Sequence, residues 1–127
     1  MEHNGVKVLV HTEDKRGNVY TLCNQLVIWY ANKRICVPRH FESDGASVPR
    51  FFWRYVFPSS DPAALRASIG HDYVYRTHPD GWKKSDADKM FLGTMLVDGV
   101  EPKRAYRAYC GVKYFGWWSW WKGGRSK

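Results

Sequence analysis

A chain of 127 residues with 44% apolar content is long enough to fold as one domain around a modest core, which excludes a disordered segment. No apolar run approaches the roughly 18 residues of a membrane span, and the opening MEHNGVKV lacks the basic-then-apolar layout of a secretory leader, so cytoplasmic retention after synthesis is expected. The net charge of +8 is uneven: residues 1–100 carry 13 Lys/Arg against 11 Asp/Glu, whereas residues 101–127 carry 7 against 1, a positive end suited to anionic lipid, nucleic acid or an acidic protein.

The runs VKVLVH at 6–11 and VYTLCNQLVIWY at 19–30 are rich in β-branched and aromatic residues and predict strands, with DKRGN as the turn between them. ANKR turns the chain again before a short strand, ICVP at 35–38. Residues 1–40 thus predict a three-stranded antiparallel meander. Residues 41–60 show no sustained period, yet Phe41, Val48, Phe51, Phe52 and Trp53 want burial, so an ordered loop is expected there. The three cysteines, Cys23, Cys36 and Cys110, are odd in number and have no metal-like spacing, which predicts free thiols.

Asp61 followed by Pro62 is a helix start that should run to about Tyr75 or Arg76. Ser85 with Asp88 three residues on resembles a capping box for a second helix, and Gly99 is placed to end it. Pro102 opens a third helix to about Phe115. The expected architecture is a single α+β domain: a small N-terminal antiparallel sheet, then helices over 61–116 that include an antiparallel pair, then a Trp-rich basic tail over 117–127. The tail packs four tryptophans into five residues, Trp117, Trp118, Trp120 and Trp121. Such rings suit a membrane interface or stacking on bases; alternatively Trp117 and Trp121, at i and i+4, cap the core.

The chemistry concentrates in SIGHDYVYRTHPDGWKKSDADKMFLGTML, residues 68–96. His71 and Tyr75 share a helix face, and the polar loop returning the chain antiparallel lets either of them meet Asp88 on the next helix. A carboxylate behind an imidazole fixes its tautomer and stabilises the imidazolium formed when the ring takes a proton, so His71 is a candidate general base with one nitrogen on Asp88 or Asp86 and the other facing a cleft. Asp72, pointing away, is a candidate ligand for a hard cation. The competing reading is a buried network that only ties two helices together. Tyr75, Ile69, Phe91 and Leu92 are expected to be buried.

Four motifs, FESDGASVPRFFW, DPAALRASIGHDYVYR, SDADKMFLGTMLVDGV and RAYCGVKYFGWW, resemble in order and spacing the family numbered 1353 among domains of unknown function. That resemblance implies a tailed-phage or prophage origin. A looser pattern, His71-Asp72-x-x-Tyr75 with a later Asp on an antiparallel helix and SDGASVP upstream, is similar to the core of phospholipases A2. It implies His71 as base, Tyr75 hydrogen-bonded to the orienting Asp88, Asp72 as a calcium ligand with the loop around Asp44 and Gly45, and Phe91 at the apolar position after the carboxylate. The departures are the absence of cysteines flanking His71, the strands at the N-terminus and a single glycine in the loop. The function expected is a calcium-dependent esterase acting on host membrane lipid; the alternative is a non-catalytic virion protein of the tail or baseplate that contacts other phage structural proteins. Nucleic-acid binding is the third reading. A His-Asp metal phosphohydrolase is disfavoured because the upstream segment reads as strands.

Overall fold

The computed structural model describes residues 2–3, 6–13, 17–43 and 62–125. The chain is α+β, with antiparallel strands first and helices after them, as expected. The strands are β1 (Glu2–His3), β2 (Val6–Glu13), β3 (Gly17–Leu22), β4 (Leu26–Tyr30), β5 (Lys33–Val37) and β6 (Glu42–Ser43). They form two sheets rather than one meander: β1-β2-β3-β6 in that order, and a separate β4-β5 hairpin. The stretch 19–30 is therefore divided. At Leu22 the backbone switches partners, its N–H donating to the Phe41 carbonyl and its carbonyl accepting from His40 at 2.8 Å, and pairing resumes at Leu26 opposite Val37. Leu26, Ile28, Ile35 and Val37 form the buried face of the hairpin and pack against the helices. The Ile28 side chain takes the space a Cβ on Gly70 would need.

A short 3-10 turn, Pro62–Ala64, leads into α1 (Leu65–Thr77), followed by α2 (Lys84–Val97), α3 (Pro102–Phe115) and α4 (Trp117–Arg125). The tail is thus a fourth helix. α1 and α2 are antiparallel, since Tyr75 meets Asp88 near the connecting loop and Arg66 meets Asp98 at the far end, donating to both carboxylate oxygens at 2.9 and 2.8 Å. α2 starts at Lys84, one residue before the expected cap. Asp86, not Asp88, accepts the Lys83 backbone N–H at 3.0 Å, because an earlier start puts Asp86 at the third helical position. At the other end Gly99 adopts φ +96° and its N–H donates to the Leu96 carbonyl while Val100 N–H donates to Met95, a Schellman stop that a Cβ would strain. Tyr75, Ile69 and Phe91 are buried as expected, and Leu92 partly so.

Candidate functional site: a buried His-Asp-Tyr-Lys network

The helix spacing sets the site. His71 and Tyr75 lie one turn apart on the α1 face toward α2, and Lys84 and Asp88 lie one turn apart on the α2 face toward α1 and α3. Asp88 Oδ1 accepts from Tyr75 Oη at 2.6 Å and from His71 Nε2 at 2.9 Å. Its Oδ2 accepts from Lys84 Nζ at 2.7 Å. Lys84 also donates to the carbonyls of Val112 at 2.8 Å and Lys113 at 3.1 Å in the last turns of α3, so its three N–H bonds are all used. The His71 ring lies between Tyr75 and Phe91, with centroids 4.1 and 4.6 Å away. His71 has 0% of its surface exposed, whereas the base reading expected one nitrogen to face a cleft.

Burial lowers the His71 pKa, outweighing the opposing pull of Asp88, so the imidazole is neutral near pH 7. Burial pushes Asp88 up, but the hydrogen bonds from His71, Lys84 and Tyr75 outweigh it and hold the carboxyl below its usual value. Burial and the adjacent Asp88 charge raise the Tyr75 phenol well above its usual range, so it stays a donor. An ionised carboxylate only accepts, so His71 Nε2 carries the proton and Nδ1 the lone pair.

A pH dependence follows from these directions. The unfolded chain protonates His71 near 6.5 and the folded chain only at lower pH, so the stability from its neutral burial is whole above about 6.5 and is lost as pH falls below it. We expect urea unfolding of the wild type to lose up to about 1.4 kcal/mol per pH unit from this one proton between pH 6.5 and the folded value. His71→Gln should flatten that interval. The stability that Asp88 adds through its lowered pKa is whole above the ordinary carboxylate value of 3.8 and is lost only as pH falls below it, a separate window. An identical pH profile in the variant would contradict the assignment.

Asp72, the described member of the calcium set, is 1% exposed and its Oδ2 lies 3.2 Å from the Arg76 guanidinium. Arg76 in turn donates to the Glu42 carbonyl at 2.8 Å, fastening α1 to β6. Arg76 balances the Asp72 charge, and among the described residues no group of three His, Cys, Asp or Glu is placed to hold a metal, so no catalytic step is routed through one below. Asp44, Gly45 and the remainder of the expected ordered loop lie outside the described residues. Among the described residues all three cysteines are free thiols. Sequence reasoning missed Lys84, although its i, i+4 spacing to Asp88 is a signal for the pair.

Next to the network, α4 lies on α1. Trp120 stacks on His78 at 3.6 Å and meets Tyr75 edge-on at 5.3 Å. A Cβ on Gly123 would fall on the Tyr75 carbonyl oxygen and 3.0 Å from Arg76 Cα, so only glycine lets the two helices meet there. Trp120 is the ring turned inward, while Trp117, Trp118 and Trp121 are 49–67% exposed. The alternative in which Trp117 and Trp121 cap the core does not hold, since both rings face outward. Removing the chain from Trp117 would uncover Tyr75.

Sheet, antiparallel helix pair and buried network together define an α+β protein with a histidine-carboxylate centre between its first two long helices. The chain belongs to the DUF1353 family, whose model, described as "Protein of unknown function (DUF1353)", matches residues 20–112. The match includes His71, Tyr75, Lys84 and Asp88 and stops before α4. The chain is similar to two proteins of Sinorhizobium fredii: uncharacterized protein y4iH, 30% identical over 69% of this chain and 34% of that protein, and uncharacterized protein y4jT, 32% identical over 63% of this chain and 23% of that protein. The chain spans about a third or less of the length of these curated relatives. No solved structure matches it.

Proposed function

We propose that this chain is a phage- or prophage-encoded ester hydrolase acting on host membrane lipid, with His71 as general base. The observation that carries the reading is the shared Asp88 Oδ1, which accepts from both Tyr75 and His71 Nε2 and so fixes the ring with Nδ1 as the basic nitrogen. Nδ1 takes a proton from water, the resulting hydroxide attacks the ester carbonyl, and the leaving alkoxide recovers the proton from the imidazolium, which Asp88 stabilises meanwhile. The aromatic, basic C-terminal helices bring the enzyme to anionic lipid. Because the ring is covered in the resting state, turnover requires the cover over Nδ1 to open.

A second reading rests on that same burial and on Lys84: the network is a tie between helices, and the protein is a non-catalytic virion component of the tail or baseplate. Fatty-acid release from anionic vesicles and from monomeric esters, with and without calcium, separates the two. The hydrolase reading expects release by the wild type and a loss of about 10²–10⁴-fold in His71→Gln, which keeps a donor toward Asp88 but has no base. A folded, monodisperse wild type that releases nothing from either substrate, with or without calcium, overturns it in favour of the tie.

A further inference from the structure

An open cleft of about 740 Å³ lies between the start of α2, the end of α3 and the start of α4. Lys84 and Asp88 line it, but His71 and Tyr75 do not, so it approaches the network from the side opposite the imidazole. Lys83 just before α2, Lys89 within it and Lys113 of α3 line the cleft, all three exposed. Asp88 is the one carboxylate among the lining residues, and Lys84 already balances it at 2.7 Å. Asp86, beside the cleft, faces Lys83 but is already paired with Lys33 at 2.6 Å, so a surplus of positive charge from Lys83, Lys89 and Lys113 remains over one space.

The walls are aromatic. Lys113 Nζ sits 5.8 Å from the centroid of Tyr109 and 5.4 Å from that of Tyr114, and Trp117 lies across the cleft with Lys84 Nζ 4.8 Å from its ring. Three cations in water would repel one another without a counter-charge, and exposed rings around them gain from an apolar surface laid against them. We propose that this cleft binds an organic phosphate: a phosphate ester whose anionic group is held by Lys83, Lys89 and Lys113 and whose flat or apolar body packs on Tyr109, Tyr114 and Trp117. Lysine suits this task as a point charge toward phosphate, and the rings supply the selectivity for an ester over the bare anion. The site is separate from the proposed base, and it stands whether or not His71 acts on substrate.

The cleft holds Trp117 and Trp82, so tryptophan fluorescence of the full chain reports its occupancy. The probes are inorganic phosphate, a nucleoside monophosphate, and a short-chain phosphatidic acid kept below its micelle concentration. At low salt at least one ester should saturate with Kd below about 1 mM, and inorganic phosphate should bind about tenfold more weakly. Lys113→Ala should weaken the ester about tenfold, whereas Lys103→Ala, at the other end of α3, should not. Which ester binds identifies the source of the ligand as nucleotide or lipid. The proposal is overturned if neither ester saturates, if inorganic phosphate binds as well as both, or if Lys103→Ala weakens binding as much as Lys113→Ala.

Discussion

Asp88→Ala should lower the unfolding free energy by about 3–5 kcal/mol, a large part of the roughly 5–15 kcal/mol expected for a natural domain. The carboxylate is 2% exposed and serves three donors at once, so its removal strands Tyr75 Oη, His71 Nε2–H and the Lys84 ammonium where almost none of their surface reaches water. The ammonium is the costliest, since it keeps two carbonyl acceptors but loses its counter-ion. Adding Lys84→Met should therefore recover stability rather than subtract more, because it removes the uncompensated charge and leaves an apolar chain of similar length. Urea unfolding of the two single variants and the double variant tests this. A loss below about 1 kcal/mol for Asp88→Ala, or strictly additive losses, would count against a closed network.

Gly123→Ala should detach α4. In most exposed helices alanine replaces glycine with a gain of about 1 kcal/mol, but here the new methyl meets the backbone of α1 at Tyr75 and Arg76, which cannot rotate aside as a side chain would. The expected loss is about 1–3 kcal/mol, accompanied by a red shift of tryptophan emission as Trp120 leaves Tyr75 and His78. Gly93→Ala is the internal control: Gly93 is exposed within α2 with nothing within 4 Å of its would-be Cβ, so alanine there should stabilise by about 1 kcal/mol. Equal effects at the two positions would dismiss the close contact between α4 and α1.

Much of the helical half was legible because its signals are local. Pro62, Gly99 and Pro102 act through backbone chemistry within a few residues: Gly99 and Pro102 mark boundaries where expected, whereas Pro62 opens a 3-10 turn with the α-helix itself starting at Leu65, and the Asp61 cap lies outside the described residues. The meeting of His71, Tyr75 and Asp88 was legible too, since an i, i+4 pair and one tight return bring them together. What the sequence concealed depends on distant partners. VYTLCNQLVIWY has strand composition throughout, and its division at 23–25 reflects where Phe41 and His40 come to bond Leu22. The use of Lys84 by carbonyls 28 and 29 residues away depends on how α3 packs, which no local pattern encodes. The sequence left open which side of the Trp helix is exposed, because Gly123 and Trp120, rather than the Trp117–Trp121 pair, meet α1.

The last turn of a helix is usually its loosest, because its carbonyls have no amide to accept from. In α3 the order is reversed: a buried ammonium from α2 is seated on the Val112 and Lys113 carbonyls, while the opposite end begins at an exposed Pro102. Amide protons near the foot of α3 can then exchange only when the junction of three helices opens as a unit, whereas those near Pro102 exchange by ordinary fraying. The helix is rooted at its foot and free to fray at its head, so local opening of α3 is expected to begin at Pro102 while Lys113 keeps its place.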